Sequence, residues 1–447
     1  MIALTLFGSA GAFLYGPFLG FAVYLTYAVL RPQFMWEWAL PQGVQWSFFV
    51  AVATMAAVVL TGPRTPRPAP GRYPPAPLAF NRPHVLFFLF GVWITIAYFA
   101  GIESRDGIDY MELYLKIFVM YWVGWAVVRT AHQMWICVLI YALSLGYIAY
   151  DVNFRYFIDG TLKIARDGYG GNDNNGAGML LAMGVPICAF AWEAYRGWYR
   201  WVFAAHIPII LHAVLMTYSR GAMVSLILAS PFWILRGRYR KPKIILGLCV
   251  LACLPLLAGK EIRDRFMTIG QGEKDESASS RFGSWMAGIR IAADNPITGV
   301  GIRVSNLFSK AYGADMEGRT IHNQYIQLAA DTGFVGAGIY VALVVSVLVG
   351  CQRVAARARG RDDPESVRVY LSACAVQAAL VTFCTGAMFL SCEAFEPQYF
   401  LLFMGAQLPL IYPPGARPIP GGWAYPSVIV LPPAEGPGTI VPGPSGV

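Results

Sequence analysis

The chain has 447 residues, of which 57% are hydrophobic and 13% charged, and its mean hydropathy is +0.51. This composition excludes an ordinary soluble domain and indicates a polytopic membrane protein with one integral membrane domain. A net charge of +9 is typical of nucleic-acid-binding proteins, but here the cations lie in short loops between apolar runs, so no nucleic acid is expected. The eight cysteines lie in or beside apolar runs and lack metal-ligand spacing.

Apolar runs recur along the first 412 residues and predict an all-α membrane domain with about twelve transmembrane helices. The first run is long enough to cross the membrane as one tilted helix, but Gly16-Pro17 could break it into two, giving thirteen. The runs lie near residues 2–30, 44–61, 85–101, 114–128, 134–150, 177–193, 202–218, 222–235, 244–258, 333–351, 369–390 and 398–412.

Lys and Arg are concentrated in alternate loops, and this bias predicts the orientation of the chain. The basic loops include residues 64–82, 236–243 and 353–368, and we expect them to be cytoplasmic together with both termini. The N-terminus lacks a basic stretch and a small-residue cleavage site, so the first run is expected to be an uncleaved span.

The predicted organisation is a membrane domain over residues 1–412 and a tail over residues 413–447. The tail is rich in Pro and Gly, and we expect it to be cytoplasmic and disordered. One large outer loop, from about residue 259 to about residue 331, is long enough to be a periplasmic subdomain.

The outer loop contains a predicted amphipathic helix from Ser279, as N-cap, to Asp294. Its apolar face should lie in the membrane surface. That face comprises Phe282, Trp285, Met286, Ile289 and Ala293. Asn295-Pro296 ends the helix, Gly299-Val300-Gly301 forms a turn, and a second helix is predicted to begin near His322 and continue into the next span.

Three polar segments flank apolar runs, and the predicted orientation puts all three on the outer side. They are residues 172–175, Arg220 between two nearly continuous spans, and His322 with Asn323. Ionisable residues at membrane depth are costly and are interpreted first as functional. Arg281, at the start of the loop helix, adds a second cation, so these residues are predicted to converge on one cavity.

Such a cavity would suit glycosyl transfer from a lipid diphosphate. Two arginines bind phosphate oxygens bidentately, and a histidine exchanges a proton near neutral pH. Asparagine side chains can bind sugar hydroxyls or the diphosphate. The outer-face acids are scattered, with Asp173 a lone candidate ligand, so arginine would neutralise the diphosphate and neither metal nor cofactor is expected.

Each of these features also has a purely structural explanation. Arg220 could be an interfacial anchor, the Asn-rich segment and Asn323 could be helix caps, and Arg281 could contact lipid headgroups. Gly333, Gly336 and Gly338 could serve close helix packing. The shared side of the membrane is what favours the functional interpretation.

The motifs resemble those of the O-antigen ligase/polymerase superfamily of bacterial inner-membrane proteins. The similarity covers roughly residues 170–350, with Asp331 where that family commonly has Glu. Leu30-Arg31-Pro32 near the start of the chain is similar to a branch of O-glycosylation ligases. The matching segments are Tyr218-Ser219-Arg220-Gly221-Ala222, Ser280-Arg281-Phe282-Gly283-Ser284-Trp285, Asn295-Pro296-Ile297-Thr298-Gly299-Val300-Gly301, His322-Asn323-Gln324-Tyr325-Ile326-Gln327 and Asp331-Thr332-Gly333-Phe334-Val335-Gly336.

The resemblance implies an inverting, metal-independent glycosyltransferase of the GT-C type in the inner membrane, with its active site facing the periplasm. It would transfer a glycan from undecaprenyl diphosphate to the lipid A–core oligosaccharide. Arg220 and Arg281 would hold the diphosphate and His322 would act at the acceptor hydroxyl. Further candidate substrate-binding residues are Asn172, Asp173, Asn174, Asn323 and Arg265.

Two alternatives remain open from the sequence. The same donor chemistry could serve an O-antigen polymerase or a protein O-glycosylation ligase. A transporter or flippase of lipid-linked sugars is a more remote alternative, because no internal repeat is seen and the charges cluster at one face.

Overall fold

The computed structural model describes residues 1–417 except residues 42, 65–71, 196, 238, 246 and 249–275. Over these residues the protein is built from α-helices, and an isolated bridge joins Tyr169 and Asn172. The all-helical class is therefore confirmed. Six of the described helices are long and apolar enough to cross a membrane, which supports a polytopic protein, whereas the total of twelve spans stays a prediction.

The helices of the first half contain most of each predicted apolar run, but α6 begins well before the run at 114–128 and α7 continues well beyond the run at 134–150. They are α1 (Ile2–Leu14), α2 (Pro17–Leu30), α3 (Pro32–Met35), α4 (Trp46–Thr61), α5 (Arg82–Ala100), α6 (Arg105–Val127), α7 (Ala131–Asp159), α8 (Lys163–Asp167), α9 (Asn174–Ala194), α10 (Tyr199–Met216) and α11 (Arg220–Ile234). The first apolar run forms two helices, because Gly16 takes a φ of 122° and Pro17 begins α2.

The second half contains the loop helices and the last long helices. They are α12 (Glu276–Asp294), α13 (Ser305–Phe308), α14 (Gln324–Ala358), α15 (Pro364–Gly386) and α16 (Glu396–Ile411). Most of the predicted run at 244–258, together with Arg265 and the tail beyond residue 417, lies outside the described residues.

Helix α9 lies in the centre of the bundle and packs against α7, α10, α11 and α15. Nearly all of its residues are buried. Small residues along α9 permit this close approach, since a Cβ at Gly178 would lie 2.8 Å from Thr217 Oγ1 and 2.9 Å from Ser219 Cβ. The N-terminal end of α9, which follows the Asn-rich segment, is thereby held against the turn between α10 and α11.

The turn at Gly299–Gly301 docks onto the first part of α14. Val300 N donates to Ala330 O at 3.0 Å, and Gly301 N donates to Asp331 O at 3.1 Å. Helix α14 is interrupted at Gly333, whose φ is 70° and whose added Cβ would lie 2.0 Å from Ile297 O. The packing role predicted for this glycine is confirmed, but it is wrong for Gly338, where an added Cβ would meet nothing within 4 Å.

Helix α12 corrects one prediction and refines another. It begins at Glu276, so Ser279 lies inside the helix and is not its N-cap. Phe282 and Ile289 on the predicted apolar face are 65% and 45% exposed, as a helix lying on a membrane requires. Trp285, assigned to the same face, is instead partly buried against the small apolar cluster that contains Ile291.

Candidate functional site

Hydrogen bonds join the Asn-rich segment to the turn that carries Arg220. Asn174 Nδ2 donates to Thr217 O at 3.0 Å, and Ser219 Oγ donates to Asn175 Oδ1 at 3.0 Å. Ser219 is the N-cap of α11, and Arg220 is the first residue of that helix. Two of the three polar segments predicted from the sequence are therefore one structural unit.

The third segment places His322 directly before α14. Asn323 is the N-cap of this helix, with its Oδ1 accepting from Tyr325 N at 3.1 Å and Ile326 N at 3.2 Å. Gln324 N donates to Ala387 O at 2.9 Å, which ties the start of α14 to the end of α15. His322 Nδ1 is buried and has no hydrogen-bond partner among the described residues.

Four charged residues act on His322: Arg281, Asp173, Arg319 and Arg303. Burial, followed by the positive charge of Arg281, lowers the pKa of His322 to about 4, and the Asp173 carboxylate opposes this shift. The imidazole is therefore neutral near pH 7. The convergence of His322, Arg281 and Asp173 on one cavity stays a prediction.

The candidate substrate-binding residues have structural contacts of their own. Asp173 Oδ1 accepts from Gly176 N at 2.8 Å and so caps α9, as Asn323 caps α14. Asn172 Nδ2 donates to Tyr169 O at 3.3 Å. The capping explanation therefore holds for Asp173 and Asn323, and a substrate role for either would be additional. Arg265 lies outside the described residues.

An ion pair that the sequence did not indicate involves Arg303, two residues after the Gly299–Gly301 turn, and the buried Glu393. Arg303 Nη1 is 3.5 Å from Glu393 Oε1, and the guanidinium lies 4.6 Å from the ring centre of Tyr110. Burial, and then the nearby Asp331 carboxylate, raise the pKa of Glu393 well above its usual range. Asp331 itself accepts from Ser305 N at 3.0 Å.

Left-handed backbone conformations recur in this region at residues other than glycine. Tyr218, Arg303 and His322 have φ angles of 54°, 58° and 56°. Such conformations are costly for ordinary residues and are concentrated at functional sites, where the surrounding structure holds them. Tyr218 precedes the Arg220 turn and His322 precedes α14, so both strained residues direct the chain at a predicted site segment.

Metal-binding side chains are not grouped in the part of the chain that the structure describes. Within those residues, no three or more His, Cys, Asp or Glu residues are placed so as to hold a metal ion. Metal independence nevertheless stays a prediction that rests on the sequence.

The fold and the residues at its helix ends together define a class: a multi-pass helical membrane protein with Arg, His and Asn side chains beside its helix ends. Residues 207–341 match the family described as O-Antigen ligase. The match confirms the resemblance to the O-antigen ligase/polymerase superfamily and supports a ligase- or polymerase-type function in glycosyl transfer. The matched segment includes Arg220, Arg281 and His322. No curated protein matches the chain.

Proposed function

We propose that the protein is an O-antigen ligase, an inverting and metal-independent glycosyltransferase of the GT-C type. It transfers a glycan from undecaprenyl diphosphate to the lipid A–core oligosaccharide on the periplasmic face of the inner membrane. The observation that carries the proposal is that the segment matching the O-Antigen ligase family contains Arg220, Arg281 and His322. The positive charge of Arg281 also lowers the pKa of the partly buried imidazole.

In the proposed reaction, an acceptor hydroxyl attacks the anomeric carbon of the donor glycan from the face opposite the diphosphate. The new carbon–oxygen bond forms as the bond to the diphosphate oxygen breaks, and undecaprenyl diphosphate leaves. Arg220 and Arg281 stabilise the negative charge that develops on the leaving group. The acceptor proton passes to His322, which is available because its imidazole is neutral.

The donor itself adjusts the basicity of His322. In the empty site, burial and Arg281 hold the imidazole pKa low. A bound diphosphate brings negative charge into the same neighbourhood and offsets the charge of the arginine, so it favours the protonated imidazole. His322 therefore becomes a better proton acceptor when the donor is in place.

A second candidate is a protein O-glycosylation ligase with the same donor. The observation that favours it is the Leu30-Arg31-Pro32 segment, which resembles that branch. Arg31 has a φ of 44°, and its guanidinium donates to Gly170 O, two residues before Asn172. A branch-specific motif thus lies against the turn that leads into the Asn-rich segment, where a different acceptor would be selected.

The two functions are separated by the acceptor. Purified protein in lipid nanodiscs is incubated with a polyprenyl-diphosphate glycan and, separately, lipid A–core oligosaccharide, a serine- and threonine-rich protein, or the donor alone. We expect a glycan ladder on lipid A–core and none with Arg220→Ala. Glycan on the protein would identify the second candidate, and elongation of the donor would identify a polymerase.

A further inference from the structure

A cavity of about 250 Å³ lies beside the Asn-rich segment, between α3, the end of α7 and α8. Its walls include the Gly168–Gly171 turn and Met216, the last residue of α10. The turn leads directly to Asp173 and Asn174, and Asn174 bonds to Thr217, the residue after Met216. The cavity therefore adjoins the candidate transfer site but lies outside its Arg220, Arg281 and His322 set.

Two ion pairs line the cavity and give it both hydrogen-bond donors and acceptors. Asp151 Oδ2 lies 2.8 Å from Arg155 Nε within α7, and Lys163 Nζ lies 3.1 Å from Glu37 Oε1. With Asp167, the lining has three carboxylates and two cations. This charge set does not suit a diphosphate, but it suits hydroxyl groups, which donate to carboxylates and accept from cations.

The shape of the cavity also favours a sugar ring. Its volume is just below the range of about 300–1,000 Å³ typical of small-molecule pockets, so it is sized for one unit of a longer glycan. Aromatic faces of Phe34, Tyr156 and Tyr169 line it beside the polar groups. Such amphipathic walls can pack against the C–H face of a sugar while its hydroxyls reach the charged side chains.

The glycine-rich turn forms a tightly folded wall of the cavity. Gly168, Gly170 and Gly171 have φ angles of 69°, 65° and 79°, conformations that favour glycine. A Cβ at Gly168 would lie 1.9 Å from Asn172 O, and one at Gly170 would lie 2.8 Å from Arg31 Cδ, so the turn packs closely on the chain around it. The turn is held in place, because Tyr169 N donates to Asn172 O at 3.0 Å and the Tyr169 hydroxyl donates to Leu30 O. The wall is thus built before any ligand arrives.

We propose that this cavity is a saccharide subsite of the transferase, which binds one neutral sugar unit of a substrate glycan beside the transfer site. The proposal rests on the proposed function for its choice of substrate. The sugar unit belongs either to the donor glycan or to the acceptor saccharide, and the two sources share the same recognition chemistry.

The test uses full-length protein in nanodiscs and two variants of the cavity. Asp151→Asn keeps the side-chain shape but removes the carboxylate charge, and Thr161→Trp fills the cavity from an exposed loop position. The matched control is Glu112→Gln, which breaks the Glu112–Lys116 ion pair on α6, also of i,i+4 spacing, outside this cavity. Thermal unfolding verifies that each variant is folded.

The KM of each substrate is measured with the other held at saturation. Loss of a charge-assisted hydrogen bond should raise one KM about tenfold, with kcat within about twofold and the control unchanged. A rise in the donor KM assigns the subsite to the donor glycan, and a rise in the acceptor KM assigns it to the acceptor. Unchanged KM values in both folded cavity variants would overturn the proposal.

A binding measurement tests the saccharide subsite independently of the proposed ligase function. Saturation-transfer NMR uses glucose, galactose and N-acetylglucosamine as probes on the same nanodiscs. If the unsubstituted protein transfers no glycan, the proposed function fails, while a sugar signal that is lost in Thr161→Trp and kept in Glu112→Gln still supports a saccharide site. No probe signal sensitive to Thr161→Trp, together with unchanged KM values, would leave the cavity without a ligand role.

Discussion

Arg220 and Arg281 are the two cations that are proposed to bind the donor diphosphate. Each should stabilise developing charge by roughly 3–4 kcal/mol, so Arg220→Ala and Arg281→Ala should each lower transfer about 10²–10³-fold. Lys should rescue poorly, because a point charge cannot reproduce the bidentate guanidinium. Ligation is followed by gel in the nanodisc assay, and membrane insertion by the yield of folded protein.

Arg290 supplies the matched control for Arg281 on the same helix. It is exposed, and its Nη1 donates to Tyr312 O at 3.0 Å. Arg290→Ala should therefore leave transfer near the unsubstituted level. A normal lipopolysaccharide ladder in Arg281→Ala or Arg220→Ala would remove that arginine from the site.

His322 gives the reaction a pH dependence whose direction follows from its environment. Burial and Arg281 lower the imidazole pKa to about 4, so the neutral form persists as pH falls below the usual value of about 6.5. We expect kcat/KM, which reports the free enzyme, to stay level down to about pH 5 and to fall only near pH 4.

Arg281→Gln removes one of the influences that lower the His322 pKa, so its acid limb should move to higher pH. Arg290→Gln, which is not among the charges acting on His322, should not move it. The profiles are measured on residual activity in nanodiscs. An acid limb near pH 6.5 in the unsubstituted protein would contradict the assignment of His322 as the proton acceptor.

The roles assigned to His322 and to the two arginines predict different effects on donor binding. His322→Ala should cut transfer by about 10²–10⁴-fold yet leave donor binding largely intact, because a general base acts on the acceptor proton. Equilibrium binding of the polyprenyl-diphosphate glycan separates the roles, since the arginine variants should lose donor affinity as well. Weak donor binding with normal turnover in His322→Ala would show that the imidazole helps the arginines to bind the diphosphate.

At the residue scale, the candidate site residues that could be predicted from the sequence are polar residues beside apolar runs. Arg220 and His322 interrupt or border apolar runs, so their cost in a membrane marks them. The Arg303–Glu393 pair was not predictable in the same way. Its partners are far apart in sequence, and their pairing depends on how the Gly299–Gly301 turn docks on α14, which tertiary packing decides.

At the scale of elements, the interruption of α14 at Gly333 couples the outer loop to the bundle. Gly333→Ala should be destabilising by at least roughly 1–3 kcal/mol, because alanine is strained at a φ of 70° and its Cβ would clash with Ile297 O. The matched control is Gly338→Ala, which has open space around it and should be neutral or slightly stabilising. Thermal unfolding in detergent compares the two.

Transfer activity should also fall in Gly333→Ala and not in Gly338→Ala. The reason is that the loop between Pro296 and Gly301 packs beside the start of α14 and leads to the segment with Arg303. A drop in activity is expected for Gly333→Ala alone. Equal unfolding midpoints for the two alanine variants would show that the backbone break at Gly333 is dispensable.

Element boundaries were predictable where chemistry marks them. Asn323 is predicted as a cap and does cap α14, whereas Ser279 lies inside α12 because the helix extends back to Glu276. The apolar pattern of the sequence continues through α14, so it cannot reveal the break at Gly333. That break is imposed by the backbone of Pro296 and Ile297 packing against it, a contact between separate elements.

For the whole molecule, the distribution of Lys and Arg predicts that both termini are cytoplasmic and that the loop between α11 and α14 is periplasmic. Glu317 and Asp362 are exposed at opposite ends of the chain segment that contains α14, so one long span should separate them. Glu317→Cys should therefore react with a membrane-impermeant maleimide in cells whose outer membrane has been permeabilised. Asp362→Cys should react only after lysis.

The unsubstituted protein measures background labelling of its own cysteines, most of which are buried where described. A cytoplasmic reporter fused after Val447 supplies an independent reading of the C-terminus, because it is active only inside the cell. Labelling of Asp362→Cys in unlysed cells, with no labelling of Glu317→Cys, would invert the topology. The Arg220, Arg281 and His322 set would then face the cytoplasm, where it could not meet a glycan already exported on its lipid carrier, and the proposed ligase function would fail with it.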